Sequence, residues 1–334
     1  MPEHKTLTTD LHLEDDSLLL ELFGQQDCNL HQLENLAGVS IVARGGYVRF
    51  SGPDLGIKLA QAAFLHLYEA LQKEGKLSAK DVETAYRFAS HGISATIKTE
   101  GQPPQPFTFV LPTPQKKNVT ARSPNQSLYV QELLAKHMVF AVGPAGSGKT
   151  YLAVAVGVFK LLKGEVDRLI LSRPAVEAGE RLGFLPGDLK DKVDPYLRPL
   201  YDALYHVLSA EVVTKKIQQG IIEIAPLAYM RGRTLSNAYV ILDEAQNTTP
   251  VQMKMLLTRM GEKSWMVITG DLSQVDLPKG MLSGLQDALD LVKAIPDIGV
   301  VRLQETDIMR HPLVAQIVHA YEAQKKTTTP PGGS

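Results

Sequence analysis

The feature that most restricts this chain is the run Gly143-Pro144-Ala145-Gly146-Ser147-Gly148-Lys149-Thr150, a complete G-x-x-x-x-G-K-[ST]. It follows the apolar residues 138–142, which have the length of a strand, and precedes the helix-like stretch 151–162. A fold that accepts it must pass from a buried strand into a helix through a glycine-rich loop. Holding phosphate explains the residue types. Glycines let backbone N–H groups wrap the oxygens, and the helix N-terminus adds positive potential. Lys149 has the reach for the β- and γ-phosphates, and the Thr150 hydroxyl suits Mg²⁺.

Further runs of strand length, at 168–171, 221–226, 239–242, 266–269 and 300–303, alternate with helical patterns. Buried strands separated by helices predict an α/β fold with a mainly parallel sheet, whose ligands bind at the carboxyl ends of the strands. Two of these runs end in polar groups. Tyr239-Val240-Ile241-Leu242 leads into Asp243 and Glu244. There Asp243 is a candidate metal ligand and Glu244 a candidate base for an attacking water. Adjacent acids that merely cap the next helix are the plainer reading. Val267-Ile268-Thr269 leads into Gly270-Asp271, then Gln274, which is placed to touch a γ-phosphate or its water; an ordinary Gly-Asp turn is the alternative.

At 334 residues the chain has room for two folded units, at roughly 150 residues each. It is 44% hydrophobic and 21% charged, with a formal net charge of -1, so it carries no global basic field. The single cysteine, Cys28, excludes an intramolecular disulfide and a Cys-based zinc site, and suits a reducing compartment. The start of the chain is polar, and no apolar run approaches the ~18 residues of a membrane span, so neither a signal peptide nor a span is expected. Residues 97–124 hold Pro103, Pro104, Pro106, Pro112, Pro114 and Pro124, and read as a linker.

Before the linker, residues 1–96 read as a small α+β domain of order βαββαα. Its parts are a strand at 17–22, a helix at 29–36, a hairpin of 40–43 with 47–50 turning at Gly45-Gly46, and helices from Ser51-Gly52-Pro53 and from Ser78. After the linker, 125–324 forms the α/β unit, and 325–334 reads as a disordered tail by composition.

The three motifs in this order resemble the ATPase core of superfamily 1 helicases, and residues 125–321 resemble the PhoH family. The resemblance is carried by GPAGSGKTYLAVA from Gly143, LSRPAVEAGERLGFLPGDLKDKVDPYLRPLYDAL from Leu171, YMRGRTLSNAYVILDEAQNTTPVQMKMLLTRMG from Tyr229 and VITGDLSQVDLP from Val267. It implies a RecA-like P-loop ATPase that uses ATP and Mg²⁺, works in the cytoplasm in RNA metabolism, and often forms a hexameric ring. A nucleotide-dependent switch that assembles with a ribonuclease or other partner is the alternative.

Carried onto single positions, the resemblance makes Gln126 a candidate adenine reader, with a polar end to the linker as the plainer reading. It puts Ser172-Arg173-Pro174, with Glu177, Glu180 and Arg181, at the level of nucleic-acid backbone contacts, against a loop of internal ion pairs. Arginine fingers act in cis or in trans in P-loop enzymes. Arg310 is the first candidate here, Arg231 and Arg233 the next, and a surface arginine paired with Glu305 or Asp307 the alternative. His311 reads as a cap or surface residue. The N-terminal unit is similar to KH-related domains through Gly24, Leu33-Glu34, Gly38-Val39 and Arg44-Gly45-Gly46, but it lacks their G-x-x-G loop.

Overall fold

The computed structural model describes residues 7–13, 16–96, 106–113, 117–174, 189–278 and 280–309. The chain divides into two compact units, one of residues 1–108 with 120–127 and one of 109–119 with 128–334.

The first unit begins with β1 (Leu7–His12), α1 (Leu19–Phe23) and α2 (Cys28–Ala37). The hairpin β2 (Ser40–Arg44) and β3 (Tyr47–Gly52) follows, and α3 (Asp54–Glu74) and α4 (Ala79–Thr96) close it. Its sheet is antiparallel in the order β1-β3-β2. Ile57, Ala60, Phe64, Leu67 and Leu71 are buried at alternating spacings of three and four, as one face of α3 requires, and Phe64 meets Phe50 edge-on with centroids 5.7 Å apart. Asp81 Oδ2 accepts from the Ser78 N–H at 2.6 Å and its hydroxyl at 2.7 Å, tying down the start of α4.

Two readings of this unit need correction. Residues 17–22, expected as a strand, form a 3-10 turn and α1: Leu19 and Leu22 are buried while Leu20 is 88% exposed, the i, i+3 spacing of a helix. A short apolar run alone cannot distinguish the two. The strand that pairs with β3 is β1, whose side chains are almost all exposed and which therefore carries no hydrophobic pattern. The order is thus βααββαα. Within the proline-rich segment, β4 (Thr108–Val110) and β5 (Asn118–Thr120) form a two-stranded ribbon.

The second unit is built on six parallel strands, each where the apolar runs predict one: β6 (Met138–Val142), β7 (Arg168–Arg173), β8 (Ile222–Pro226), β9 (Ala238–Leu242), β10 (Trp265–Gly270) and β11 (Ile298–Arg302). Their order across the sheet is β11-β6-β10-β9-β7-β8. Before and between them lie α5 (Pro124–Ala135), α6 (Lys149–Leu162), α7 (Leu189–Val207), α8 (Ala210–Gln218), α9 (Pro250–Leu257) and α10 (Gly284–Val292). The chain thus has an α/β unit on a parallel sheet and a separate small α+β unit, the fold class the sequence predicts. Every residue of β9 is buried, and Met253, Leu256, Leu285 and Leu289 cover one face of the sheet. Among the described residues no helix is long and apolar enough to cross a membrane.

Register fixes the site. Val142 pairs with Gly270, Ile268 with Leu242, and Leu242 with Ser172, so the residues that follow these positions leave the sheet along one edge. The chain after β9 is anchored by a capping box: Thr249 Oγ1 accepts from Gln252 N at 3.2 Å, and Gln252 Oε1 accepts from Thr249 N at 2.9 Å, with Pro250 in the first turn of α9. Replacing Thr249 with Ala frees a helix donor, so stability falls by about 1 kcal/mol in urea denaturation.

Candidate active site

The phosphate loop turns from β6 into α6 with no space to spare. Gly143 N donates to Gly270 O at 3.1 Å, and a Cβ on Gly143 would stand 2.5 Å from the carbonyl oxygen of Leu303. Gly148, which precedes α6, has φ +85°, a left-handed conformation that costs any residue with a Cβ. Lys149 is 8% exposed, and its Nζ donates to the carbonyls of Gly143 at 2.7 Å and Pro144 at 2.8 Å. Burial lowers the proton affinity of this ammonium below the usual lysine range, against the opposing pull of Asp271, Asp243 and Glu244. A desolvated cation at the first turn of a helix is matched by phosphate oxygens. Ala145, Gly146, Gly148 and Thr150 line a cavity of about 240 Å³ with Lys149, and Asp243, Glu244 and Gln274 form its other side.

Asp243 is 4% exposed at the end of β9. Its Oδ1 accepts from the Thr150 hydroxyl at 2.7 Å and the Thr269 hydroxyl at 2.7 Å. Magnesium takes a few hard protein oxygens and completes its shell with phosphate and water. Thr150 and Asp243, two such oxygens already within hydrogen-bonding distance at the mouth of the loop, fit that requirement. Thr269 is fully buried and steers the Asp243 carboxylate from behind. In Thr269→Val the shape remains and the hydrogen bond goes; the Mg²⁺ concentration for half-maximal turnover rises about tenfold, read by magnesium titration.

Glu244 follows with φ +54°, a left-handed conformation uncommon for a side chain of this kind. Its Oε1 accepts from Arg173 NH2 at 2.7 Å and its Oε2 from Gln246 Nε2. Gln246 is 1% exposed and knits the motifs together, since its Oε1 accepts from Asp271 N at 3.0 Å and its Nε2 also donates to Gln274 O at 3.2 Å. Asp271 in turn accepts from Ala145 N at 3.2 Å and from the Gln274 side chain at 2.8 Å. The third motif is thereby bonded directly to the phosphate loop.

Among the described residues, none of the other predicted ones lines this cavity. Gln126 is buried at the start of α5, in the first unit. Its Oε1 accepts from Arg122 N at 2.8 Å, and its own N–H donates to Ser123 Oγ at 3.2 Å. Arg233 forms a two-pronged pair with Glu223 at 2.6 and 2.7 Å, which holds the Glu223 carboxyl below its ordinary range. Arg231 is exposed. Arg310 and His311 lie outside the described residues, as do Glu177, Glu180 and Arg181; the residue before Arg310, Met309, donates its N–H to Gly146 O at 3.0 Å. Arg173, placed by the sequence at the level of nucleic-acid contacts, is found against Asp243 and Glu244. Thr269 and Gln246 were not singled out from the sequence. A polar residue closing an apolar strand, and an amide two positions after the paired acids, are the signals that mark them.

The chain is similar to several known proteins. Residues 118–322 match the family model described as PhoH-like protein. A PhoH-like protein of Bacillus subtilis (strain 168) is 47% identical over 324 residues, which cover 97% of this chain and 100% of that one. A PhoH-like protein of Mycobacterium leprae (strain TN) is 46% identical over 305 residues, 91% of this chain and 85% of that one. Protein PhoH of Escherichia coli (strain K12) is 46% identical over 205 residues, 61% of this chain and 58% of that one. The solved Pif1 helicase from Candida albicans aligns at a TM-score of 0.33 with 15% identity over 60% of this chain and 43% of that one, too loose a likeness to carry an argument.

Proposed function

The chain belongs to the PhoH family, and from that premise we propose that it is a Mg²⁺-dependent ATPase whose turnover serves RNA remodelling or unwinding. The observation that carries the ATPase reading is the 2.7 Å contact between Thr150 and Asp243, with Glu244 next in sequence beside the same cavity. Loop N–H groups and Lys149 bind the phosphates. Thr150 and Asp243 would hold Mg²⁺, and the ion would supply the charge that neutralises the phosphate oxygens. Glu244 accepts a proton from the attacking water, and Gln274 orients that water from the loop after β10. A kinase has no use for a carboxylate placed to activate water.

The RNA reading is supported by the order of the three motifs, which resembles that of superfamily 1 helicases. Among the described residues there is one RecA-like core, so any translocation draws on neighbouring subunits. The proposal therefore includes a homo-oligomer in the cytoplasm, a ring being the expected form, with Arg310 as the finger. The test is ATP hydrolysis alone and with single-stranded RNA, single-stranded DNA and duplexes. Stimulation by RNA above the other classes is expected. Equal turnover under every condition contradicts the RNA reading and favours a switch that assembles with a ribonuclease or other partner.

A further inference from the structure

Glu244 borders two cavities. It lines the nucleotide cavity with Lys149, Thr150 and Asp271, and it also lines a second polar cavity of about 210 Å³ with Arg173, Tyr196 and Asp276. Arg173 borders the second cavity and is not among the residues that line the first. Its three nitrogens have three different tasks. NH2 donates to Glu244 Oε1 at 2.7 Å, and NH1 donates to the carbonyl of Tyr196 on α7 at 2.8 Å. Nε stands 3.2 Å from Asp243 Oδ2, an ion contact without hydrogen-bond geometry. With Gln246 on Oε2, both oxygens of the carboxylate are engaged. A base must aim a lone pair at the water behind the γ-phosphate, and turning Glu244 toward the nucleotide breaks its bond to Arg173. The Arg173 side chain is 15% exposed, so water is a poor substitute partner.

We propose that Arg173 is a positioning residue that withholds Glu244 from the nucleotide, and that turnover requires the Arg173–Glu244 bond to open. The bond to Tyr196 ties that opening to the position of α7. The proposal rests on the reading of Glu244 as the base.

The test is a cycle of wild type, Arg173→Gln, Glu244→Gln and the double variant, read in two ways. In steady-state turnover, Arg173→Gln is expected to run roughly tenfold faster than wild type, the scale of one charge-assisted hydrogen bond. Its Kd for ATP is unchanged in calorimetry, and the gain disappears in the Glu244→Gln background. In chemical denaturation of the nucleotide-free proteins, the stability losses of the two single variants do not add in the double variant. Arg173→Lys keeps the charge but cannot reach both Glu244 and Tyr196, so it gives a smaller gain; it decides the matter if Arg173→Gln fails to fold. A folded variant that binds ATP normally and turns over no faster than wild type overturns the proposal, as do additive stability losses. If wild type itself shows no turnover, the ATPase reading fails, and the denaturation cycle still decides whether the clamp exists.

Discussion

The Lys149→Ala protein loses ATP binding, with Kd raised by ~10²-fold or more, because two charge-assisted contacts to phosphate are worth about 1.5–3 kcal/mol each. The lysine in place is buried, held by the carbonyls of Gly143 and Pro144, and set at the first turn of α6. Nothing else in the loop carries positive charge. Alanine leaves α6 intact, since it is a strong helix former, so the fold survives while the cation goes. Calorimetric titration with MgATP reads the loss. Near-normal affinity in the variant would count against the assignment of the loop.

Glu244→Gln separates chemistry from binding. The amide is nearly isosteric; its oxygen still accepts from Arg173 while its NH2 gives up the bond from Gln246, and neither contact touches Lys149 or the Thr150–Asp243 pair, so nucleotide affinity stays as it is. What disappears is the group that takes the proton, and turnover falls by ~10²-fold or more. The pair of measurements is diagnostic: Lys149→Ala fails in binding, whereas Glu244→Gln binds and does not turn over. Unchanged turnover in Glu244→Gln would reduce this residue to a turn at the end of β9.

The phosphate loop, Asp243 and Glu244 are legible in the sequence because strand, loop and helix leave separate marks around them. The four inner strands β6, β7, β9 and β10 are short apolar runs buried on both faces, a pattern that needs no knowledge of neighbours, and the edge strands β8 and β11 are short apolar runs only partly buried. β1 is invisible for the opposite reason: its backbone bonds to β3 define it, and its side chains face solvent. Residues 17–22 mislead because three successive leucines at 18–20, with Leu22 beyond Glu21, fit either period, and only the packed core shows that Leu19 and Leu22 are used three apart.

Within the site, sequence places residues at strand ends but not across them. Asp243 and Thr269 are 26 residues apart and become partners only because β10 lies beside β9. Arg173 is legible as an arginine suited to an anion, yet its partner is fixed by the pairing of β7 with β9, which brings it to Glu244, 71 residues further on, instead of leaving it to an external phosphate. Strand order is a long-range property, and the residues that bridge strands are the ones that local pattern cannot assign.

The central claim, that this cavity hydrolyses a nucleotide with Thr150, Asp243 and Glu244, is tested most directly by phosphate release from ATP by the purified wild-type chain, with Mg²⁺ and with the metal removed by chelation. Steady release that requires Mg²⁺ is the predicted result. Tight ATP binding without release, or release at the same rate after chelation, would contradict it.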